Sequence, residues 1–321
     1  MEMNILIPTD LIMDGVKPLI DQGADILRCP SGEDGLIEGI KDADVVLART
    51  EYYTRKVLES APRLKIIARY GVGVEKIDLK AAEEMGIWVS NVPTALSNAV
   101  AEHVVMLILM ASRNVRYSTR LLEKGDFSAR FTLGHEVAGK TLGLIGFGNI
   151  GRSVATKCIN GLGMKVLFYD PYVKSTSIEG ACPASIDDLL AASDIVSLHL
   201  PLVEDTKGFA DKAFFSKMKA GAIFINAARG GEMVEDDLVE ALLSGKLYAA
   251  GLDCYSSEPL PLSSKLYQLD NVIMTPHNAS ATYESLTRCS YEMGKNVWDV
   301  MIDGKAPRNA VNHPLNPRKG R

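Results

Sequence analysis

Short apolar runs alternate along the first part of the chain with segments whose apolar residues recur at helical spacing. The runs predict β-strands at Asn4–Ile7, Asp25–Arg28, Asp44–Ala48, Leu64–Arg69 and Ile87–Ser90. The segments between them that predict helices include Leu36–Lys41, Thr54–Ser60 and Leu79–Met85. Strands that alternate with helices indicate a parallel sheet covered by helices on its faces. We therefore expect one compact α/β domain here.

The same alternation resumes after a long helical pattern over Asn98–Leu122. Strands are predicted at Thr141–Ile145, Met164–Tyr169, Asp194–Leu200, Ala222–Asn226, Ala249–Asp253 and Asn271–Thr275. Helical spacing lies between them, notably at Asp187–Ala192 and Glu235–Ser244. Six strands are the number that a doubly wound sheet requires, so we expect a second α/β domain.

A last helical pattern covers Thr282–Ile302, after the final predicted strand. A lone helix in this place can pack back on the first domain, which would then be discontinuous. We therefore expect residues 1–98 and 284–321 to form one domain and residues 99–283 to form the other. A cleft would lie between the two domains.

A glycine-rich turn separates the strand at Thr141–Ile145 from the helical pattern behind it. Its residues fit the pattern G-x-G-x-x-G and are Gly146, Phe147, Gly148, Asn149, Ile150 and Gly151. The glycines meet three needs: a sharp turn, the approach of a pyrophosphate to bare backbone, and close packing of helix on strand. Backbone N–H groups at the helix start would hold the phosphates. Such a pattern alone is weak evidence, but here a strand, a helix and a second strand coincide with it.

The second strand of this unit ends in Asp170, nineteen residues after Gly151. An acidic side chain at this point accepts hydrogen bonds from the ribose diol of an adenosine. It also repels a 2′-phosphate, because two negative charges would lie close together. The sequence therefore predicts a dinucleotide site for NAD rather than NADP.

Polar side chains also follow three consecutive predicted strands, at the edge where parallel sheets bind ligands. They are Arg229, Glu258 and His277. An arginine fork matches a carboxylate and can polarise a carbonyl, while a histidine near neutrality can exchange a proton with a hydroxyl group. A glutamate beside the imidazole orients it and favours its charged form. Each has a plain alternative as a surface arginine, a helix cap or a buried histidine, but together they favour hydride transfer on hydroxy acids.

The remaining candidates are left open or given structural roles. The turn Arg69–Val74 after the fourth strand fits a small-ligand site and a tight turn equally well. His103 is expected to pack within its helix, and His199, inside the third strand of the second sheet, is expected to be structural or close to the cofactor. His135 and His313 are assigned no role. No His or Cys pair has ligand spacing, so no metal site is expected.

Composition narrows the class of protein. The 321 residues suggest about two domains, and the formal charge of −5 comes without the basic stripe that nucleic-acid binding needs. Five cysteines are scattered singly, as is typical of a reducing cytosol. We find no signal-peptide pattern, and the apolar run Val104–Ala111 is too short to cross a bilayer. We expect a cytoplasmic protein that binds neither nucleic acid nor membrane, with a solvated basic tail at residues 317–321.

Taken in order, these motifs resemble the D-isomer-specific 2-hydroxyacid dehydrogenase family, especially its phosphoglycerate dehydrogenase-like branch. The resemblance runs over nearly the whole chain through Gly71-Val72-Gly73 with Ile77-Asp78, Ala101-Glu102-His103, the glycine turn with Asp170, Ala228-Arg229-Gly230, Asp253–Pro259 and Thr275-Pro276-His277. It implies a flavodoxin-like substrate domain built from both chain ends, with an inserted Rossmann NAD domain. It also implies catalysis by Arg229, Glu258 and His277, and a homodimer formed through the long helix and the loop around Gly125–Gly139.

The resemblance implies further contacts residue by residue. Backbone at Val72 and Gly73, together with Arg229, would hold the substrate. Beyond the three glycines, the implied contacts with NAD are Asn149, Ile150, Asp170, Leu200, Pro201, Thr206, Ala227, Ala228, Arg229, Asp253 and His277.

Two departures leave the substrate open. Tyr70 and Val72 stand where phosphoglycerate enzymes often carry alanine and threonine. Arg49 and Arg69 each end a strand and are interpreted either as phosphate ligands or as surface charges. The leading interpretation is a reversible NAD-dependent dehydrogenase of a small 2-hydroxy acid, most like 3-phosphoglycerate. The alternatives are a glyoxylate or hydroxypyruvate reductase, and a non-catalytic NAD-binding regulator similar to transcriptional co-repressors.

Overall fold

The computed structural model describes residues 3–318 and divides the chain into two compact units. The first unit contains the residues up to Leu96 and those from Ala281 onwards, and the second contains Ser97–Ser280. Lys319 and the two residues after it, which end the basic tail, lie outside the described residues. Within residues 3–318, no helix combines the length and the apolar character that crossing a membrane requires.

Strands and helices alternate along the described residues. The strands, numbered in chain order, are β1 Met3–Leu6, β2 Ala24–Leu27, β3 Val45–Ala48, β4 Ile66–Arg69, β5 Trp88–Ser90, β6 Thr141–Ile145, β7 Lys165–Tyr169, β8 Ala181–Pro183, β9 Ile195–Leu198, β10 Ala222–Asn226, β11 Leu247–Leu252 and β12 Val272–Met274. The helices are α1 Lys17–Asp21, α2 Glu33–Ile40, α3 Arg55–Glu59, α4 Leu79–Glu84, α5 Ser97–Ser112, α6 Val115–Glu123, α7 Asn149–Leu162, α8 Ile186–Ala192, α9 Lys212–Lys217, α10 Glu235–Leu243 and α11 Tyr283–Met301. Single 3-10 turns occur at Phe127–Phe131, Glu204–Thr206, Gly230–Glu232 and Lys265–Gln268.

The first unit is built on a parallel sheet with strand order β2-β1-β3-β4-β5. Side chains of a strand alternate between the two faces of its sheet, and here both faces are buried. Val45 and Leu47 pack in the cluster that contains Met293 of α11, whereas Val46 and Ala48 pack in the opposite cluster with α2, α3 and α4. Burial on both faces explains why β3 consists only of apolar residues.

The second unit is built on a parallel sheet with strand order β12-β11-β10-β9-β6-β7-β8. The chain proceeds outward from β6 to β7 and β8, and then returns to β9 on the other side of β6. This reversal opens a crevice beyond the carboxyl ends of β6 and β9, where doubly wound sheets bind their ligands. The predicted fold class, two parallel-sheet α/β domains, is confirmed.

The predicted count of six strands in the second sheet was wrong by one. The missed strand, β8, lies at the sheet edge and pairs with β7. It has three residues, its Cys182 is exposed, and it ends in Pro183, which an edge strand tolerates because it need not donate to a further neighbour. No apolar run marks such a strand in the sequence.

The long helical pattern over Asn98–Leu122 is two helices rather than one. They are separated at Asn114, whose backbone is left-handed with a φ of 52°, and whose Nδ2 donates to the Leu133 carbonyl oxygen at 2.8 Å. Asparagine is among the few residues that adopt this conformation readily. Periodicity does not reveal a single left-handed residue, so α5 and α6 were predicted as continuous.

The basic tail is not wholly solvated, in contrast to our expectation. Nη1 of Arg318 donates to the carbonyl oxygens of Ala61 at 2.6 Å and Leu64 at 2.9 Å, just beyond α3. Burial lowers the pKa of this guanidinium from its usual range. Arg318 therefore ties the end of the described chain to the first unit.

Two glycines allow α11 to contact the loop before α1 at backbone distance. A Cβ at Gly294 would lie 2.0 Å from the Gly15 carbonyl oxygen, and one at Gly15 would lie 2.2 Å from the Ser290 backbone. The Gly15 N–H also donates to the Ser290 hydroxyl oxygen at 2.9 Å. Neither position has room for a side chain, so close packing of α11 in the first unit depends on both glycines.

We expect Gly294→Ala to lower the free energy of unfolding of the first unit by about 1–3 kcal/mol, because the methyl group must displace backbone. Trp88 and Trp298, the two tryptophans, both lie in this unit, so urea denaturation followed by their fluorescence measures the change. The matched control is Gly161→Ala in α7, where a Cβ would meet nothing within 4 Å. It should stabilise its helix by about 0.5–1 kcal/mol, measured by circular dichroism. An unchanged midpoint for Gly294→Ala would contradict the packing argument.

Candidate active site

The glycine turn after β6 has the shape of a phosphate cradle. A Cβ at Gly146, whose φ is 94°, would lie 2.4 Å from the His199 carbonyl oxygen, and one at Gly151 would lie 2.4 Å from the Gly146 carbonyl oxygen. A Cβ at Gly148 would meet nothing within 4 Å. The first and third glycines therefore serve packing, while the second borders open space. Helix α7 begins at Asn149 directly behind this space, and its positive dipole end suits an anion there.

Asp170 lies directly after β7, next to this turn. Its Oδ2 accepts a hydrogen bond from the Phe147 N–H, and its Oδ1 accepts one from the Tyr172 N–H, both at 2.8 Å. The Phe147 ring stacks on Phe168 with a centroid distance of 3.9 Å. Backbone donors and a stacked ring thus fix the carboxylate beside the cradle. Each oxygen keeps lone-pair capacity for a ribose hydroxyl group, so these residues fit an adenine dinucleotide.

His277 and Glu258 form a hydrogen-bonded pair at the carboxyl edge of the same sheet. Nδ1 of His277 lies 2.7 Å from Oε2 of Glu258, and Oε1 of Glu258 accepts from the Tyr255 N–H at 3.1 Å. Both side chains are partly exposed, at 44% for His277 and 38% for Glu258. The backbone of the loop that carries Glu258 therefore holds the carboxylate, and the carboxylate orients the imidazole. The imidazole remains accessible to a ligand.

Arg229 lies in the loop after β10, which packs against the loop that carries Glu258. A Cβ at Gly230 would lie 1.9 Å from the Tyr255 backbone, so only glycine permits this contact. The Asn226 side chain holds the loop by donating to the Arg229 carbonyl oxygen at 2.9 Å and accepting from the Ala228 N–H at 3.0 Å. The three predicted catalytic residues thus follow β10, β11 and β12 at one edge of one sheet.

Asp253 follows β11 and is almost completely buried. Its Oδ1 accepts from the Thr275 hydroxyl at 2.6 Å and from the Asn278 N–H at 3.0 Å, and its Oδ2 accepts from the Ala279 N–H at 2.8 Å. Sequence reasoning suggested only a contact with NAD for this residue. In the structure, its carboxylate receives three hydrogen bonds from the segment that carries His277, which the sequence pattern did not reveal.

The other predicted cofactor residues lie in the loops that follow β9 and β10. Leu200 and Pro201 follow His199 in the loop after β9, and the Thr206 hydroxyl donates to the Pro201 carbonyl oxygen at 2.6 Å. Ala227 and Ala228 come directly after β10. These loops extend from the carboxyl ends of β9 and β10, as the doubly wound sheet requires for cofactor contacts.

A family model described as the NAD binding domain of D-isomer specific 2-hydroxyacid dehydrogenases matches residues 105–279. The chain belongs to the D-isomer specific 2-hydroxyacid dehydrogenase family. The matched residues lie entirely within the second unit and include the glycine turn, Asp170 and all three predicted catalytic side chains.

Relatives of this family match most of the chain. It is 38% identical over 321 residues to a D-3-phosphoglycerate dehydrogenase of Methanocaldococcus jannaschii, covering 99% of this chain and 61% of that relative. It is 40% identical over 269 residues to a hydroxypyruvate reductase of Thermotoga maritima, covering 83% of this chain and 87% of that relative. A crystal structure of a protein from Thermus thermophilus is 33% identical and has a TM-score of 0.90, covering 96% of this chain and 100% of that one. The chain therefore spans about three fifths of the phosphoglycerate dehydrogenase it matches.

Tyr70 and Val72, the two residues at which the sequence departs from the phosphoglycerate dehydrogenase-like branch, lie in the first unit. Tyr70 is a core residue whose hydroxyl donates to the Leu286 carbonyl oxygen at 2.7 Å, and burial raises its pKa to about 12. Val72 is exposed, and its carbonyl oxygen accepts from the Asn91 side chain at 2.8 Å. The tyrosine thus stabilises the packing of α11, whereas Val72 lies at the surface of the turn.

Arg69 is committed to the backbone of the turn that follows β4. Its Nε donates to the Gly73 carbonyl oxygen at 3.0 Å, and its Nη1 donates to the Tyr70 carbonyl oxygen at 2.8 Å. Arg49 donates from Nη1 to the Asp10 carbonyl oxygen and lies over the Tyr70 ring. Neither arginine is a simple surface charge, because each holds a loop at the carboxyl edge of the first sheet.

An apolar pocket adjoins the His277–Glu258 pair. It has a volume of about 580 Å³ and is lined by Tyr255, Glu258, Pro259, Leu260, Tyr267, Met274, Thr275, Pro276 and His277. The lining contains one carboxylate and neither lysine nor arginine. The pocket therefore suits an uncharged occupant better than an anion.

His199 lies just after β9 rather than inside it, because the strand ends at Leu198. Its backbone N–H donates to the Ile145 carbonyl oxygen at 2.7 Å, and its ring Nε2 is 3.0 Å from the Ser197 hydroxyl oxygen. Burial lowers the pKa of this imidazole to about 4. His199 is therefore neutral at pH 7 and holds the loops after β6 and β9 together.

Because the folded-state pKa of His199 lies below the ordinary value of about 6.5, the unfolded chain binds the proton more readily between these two values. Stability from the neutral imidazole is thus fully present above pH 6.5 and is lost as the pH falls towards 4. We expect wild type to lose about 1–3 kcal/mol more than His199→Gln between pH 6.5 and pH 4.5, measured by urea denaturation. The carboxylates that titrate near pH 4.5 are the same in wild type and in His199→Gln, so the difference between the two stability curves reports His199 alone. Parallel stability curves would contradict the assignment.

Proposed function

We propose that this protein is an NAD-dependent D-2-hydroxyacid dehydrogenase, which catalyses reversible hydride transfer between NAD(H) and a small 2-hydroxy or 2-oxo acid. The observation that carries the proposal is the 2.7 Å contact of His277 Nδ1 with Glu258 Oε2, at the same carboxyl edge of the sheet as the glycine turn. NAD, when bound, supplies or accepts the hydride. The protein must then bind the acid, polarise its carbonyl group and move one proton.

His277 is proposed to move the proton. Glu258 accepts from Nδ1–H, which leaves Nε2 as the nitrogen that exchanges a proton with the substrate oxygen. In reduction Nε2 donates to the developing alkoxide, and in oxidation it accepts the hydroxyl proton. Because the carboxylate is itself fixed by the Tyr255 N–H, the imidazole is oriented before the substrate binds.

Arg229 is proposed to hold the substrate carboxylate and to polarise the reacting carbonyl group. An arginine guanidinium can present two parallel donors, the geometry that a carboxylate matches best, and here Nη1 of Arg229 also donates to the Ala228 carbonyl oxygen at 2.8 Å. Backbone at Val72 and Gly73 would hold the same carboxylate from the first unit, which would make that unit the substrate domain, with residues 1–98 and 284–321. The cofactor domain would then comprise residues 99–283. The close contact at Gly230 supports this role for Arg229, because it fixes the loop behind the guanidinium.

The substrate is proposed to be a small 2-oxo acid, with phosphohydroxypyruvate, hydroxypyruvate and glyoxylate as the candidates. A phosphorylated substrate has support from the matched D-3-phosphoglycerate dehydrogenase. An unphosphorylated one has support from the matched hydroxypyruvate reductase and from Arg69, whose donors serve backbone carbonyl groups. The uncharged hydroxymethyl group of hydroxypyruvate, or the hydrogen atom in its place in glyoxylate, also suits the apolar pocket beside His277 better than a phosphate would.

A cytoplasmic homodimer is part of the same proposal. Helix α6 buries none of its residues within the chain, and the loop after it exposes Phe127, Phe131 and Leu133 at 67%, 74% and 86%. An apolar surface of this extent favours a second copy as its cover. The five unpaired cysteines suit a reducing compartment. A monomer mass in sedimentation at micromolar concentration would contradict the dimer.

The activity is tested by NADH oxidation with phosphohydroxypyruvate, hydroxypyruvate, glyoxylate and pyruvate. We expect turnover with at least one of the first three, and His277→Ala should lower kcat by about 10²–10⁴-fold because general acid–base catalysis is lost. NADH binding, measured by fluorescence titration, should be retained in the variant. Tight NADH binding by wild type without turnover on any of the four acids would instead favour a non-catalytic NAD-binding regulator.

Cofactor preference tests the role of Asp170. We expect kcat/KM to be at least about tenfold higher with NADH than with NADPH, because the fixed carboxylate repels a 2′-phosphate. Asp170→Asn should lower the ratio of kcat/KM with NADH to kcat/KM with NADPH several-fold. That variant keeps an oxygen that can accept from the Phe147 or Tyr172 N–H, so it separates charge from loop anchoring. Equal kcat/KM values for the two cofactors in wild type would refute the assignment.

A further inference from the structure

His103 lies on α5, and its side chain points at the strand end that carries His277. Its Nε2 is 2.9 Å from the Thr275 hydroxyl oxygen and 3.5 Å from Oδ1 of Asp253. The side chain is only 14% exposed. Polar contacts with Thr275 and Asp253, and not packing alone, therefore position this buried imidazole.

The direction of the hydrogen bonds follows from the single proton of the hydroxyl group. Thr275 donates that proton to Oδ1 of Asp253, at 2.6 Å. The hydroxyl oxygen therefore presents a lone pair to His103, and Nε2 of His103 must donate. Burial lowers the pKa of His103, so the neutral Nε2–H form is the one that makes this bond. His103 thus completes a chain of donors that ends on the Asp253 carboxylate.

This chain of donors holds the backbone on both sides of His277. Asp253 accepts from the N–H groups of Asn278 and Ala279, while the Thr275 carbonyl oxygen accepts from the His277 N–H at 3.1 Å. The backbone of His277 itself is left-handed, with a φ of 52°. A non-glycine residue in this region costs about 1 kcal/mol or more, so its surroundings must hold it there.

We propose that His103 is a positioning residue for His277. Through Thr275 and Asp253 it holds residues 275–279 in the backbone conformation that directs the His277 imidazole at Glu258. The proposal rests on the proposed function, in which His277 moves the proton. His103 does not contact the reacting atoms and acts only through the hydroxyl and carboxylate that it orders.

Two variants break the chain of donors at neighbouring points. His103→Leu removes the donor while keeping a side chain of comparable size, and Thr275→Val removes the hydroxyl group while leaving His103 in place. We expect each to lower kcat for 2-oxo acid reduction about tenfold, with the dissociation constant for NADH changed less than twofold. The double variant should lose little more than either single variant, because both remove the same chain. His103→Gln can still donate from its amide and should recover most of the activity.

A role that is merely structural predicts a different pattern. The two losses would multiply in the double variant, and kcat would fall only in proportion to the loss of folded, NADH-binding protein. Either result would overturn the proposal, as would wild-type kcat in Thr275→Val. Should His103→Leu not fold, Thr275→Val and His103→Gln carry the test, since both keep the cavity filled.

A second measurement does not depend on turnover. The imidazole carbon-bound proton signals of His277 can be assigned in a ¹H–¹³C spectrum by their loss in His277→Ala. In Thr275→Val we expect them to shift and broaden, because the loop is released, and in His103→Gln to stay near their wild-type positions. Unmoved signals in Thr275→Val would refute the positioning role. If the signals move in Thr275→Val while wild type reduces none of the acids, the proposed function alone is refuted.

Discussion

The buried carboxylate of Asp253 is the group on which the arrangement of the candidate site depends. A carboxylate removed from water is unstable unless several donors surround it. Here the donors come from the segment of residues 275–279, so stabilising the charge and shaping the segment are one event. The strained backbone of His277 persists because the flanking N–H groups are committed to this charge. The geometry of the candidate site is therefore set at the end of β11, beneath the side chains proposed to react.

Backbone contacts that exclude any side chain provide the second constraint. Gly230 brings the Arg229 loop against the Tyr255 backbone, and Gly146 brings the cofactor turn against the loop after β9. At both places two neighbouring strands deliver their loops to one edge of the sheet, and the absence of a Cβ allows the loops to touch. Loops that touch in this way cannot move independently, which gives the site rigidity without regular secondary structure.

Much of this arrangement could be predicted from the sequence, because apolar runs and turn residues report local structure directly. Strand alternation predicted the fold class, and the strand ends predicted that Arg229, Glu258 and His277 lie on one edge. What local pattern could not reveal was β8, which has no apolar run, and the left-handed Asn114 between α5 and α6. The contacts of Thr275 with Asp253 and His103 were also invisible, because hydrogen bonds between residues distant in sequence leave no periodic signal. The hydrogen bonds of Arg69 to the carbonyl oxygens of Tyr70 and Gly73 are local, but they lie in an irregular turn and have no periodic pattern either.

The discontinuity of the first unit has a consequence for synthesis on the ribosome. Val45, Leu47, Ile66 and Ala68 bury one face of their sheet against a cluster that includes Cys289, Met293 and Val297 of α11. That helix is translated after the whole of the second unit, whose residues Ser97–Ser280 are continuous. Domains generally fold as units during synthesis. The second unit can therefore fold while the sheet of the first unit still exposes an apolar face. In the nascent chain that apolar face therefore stays open until α11 has been translated, and during this time it is accessible to co-translational chaperones.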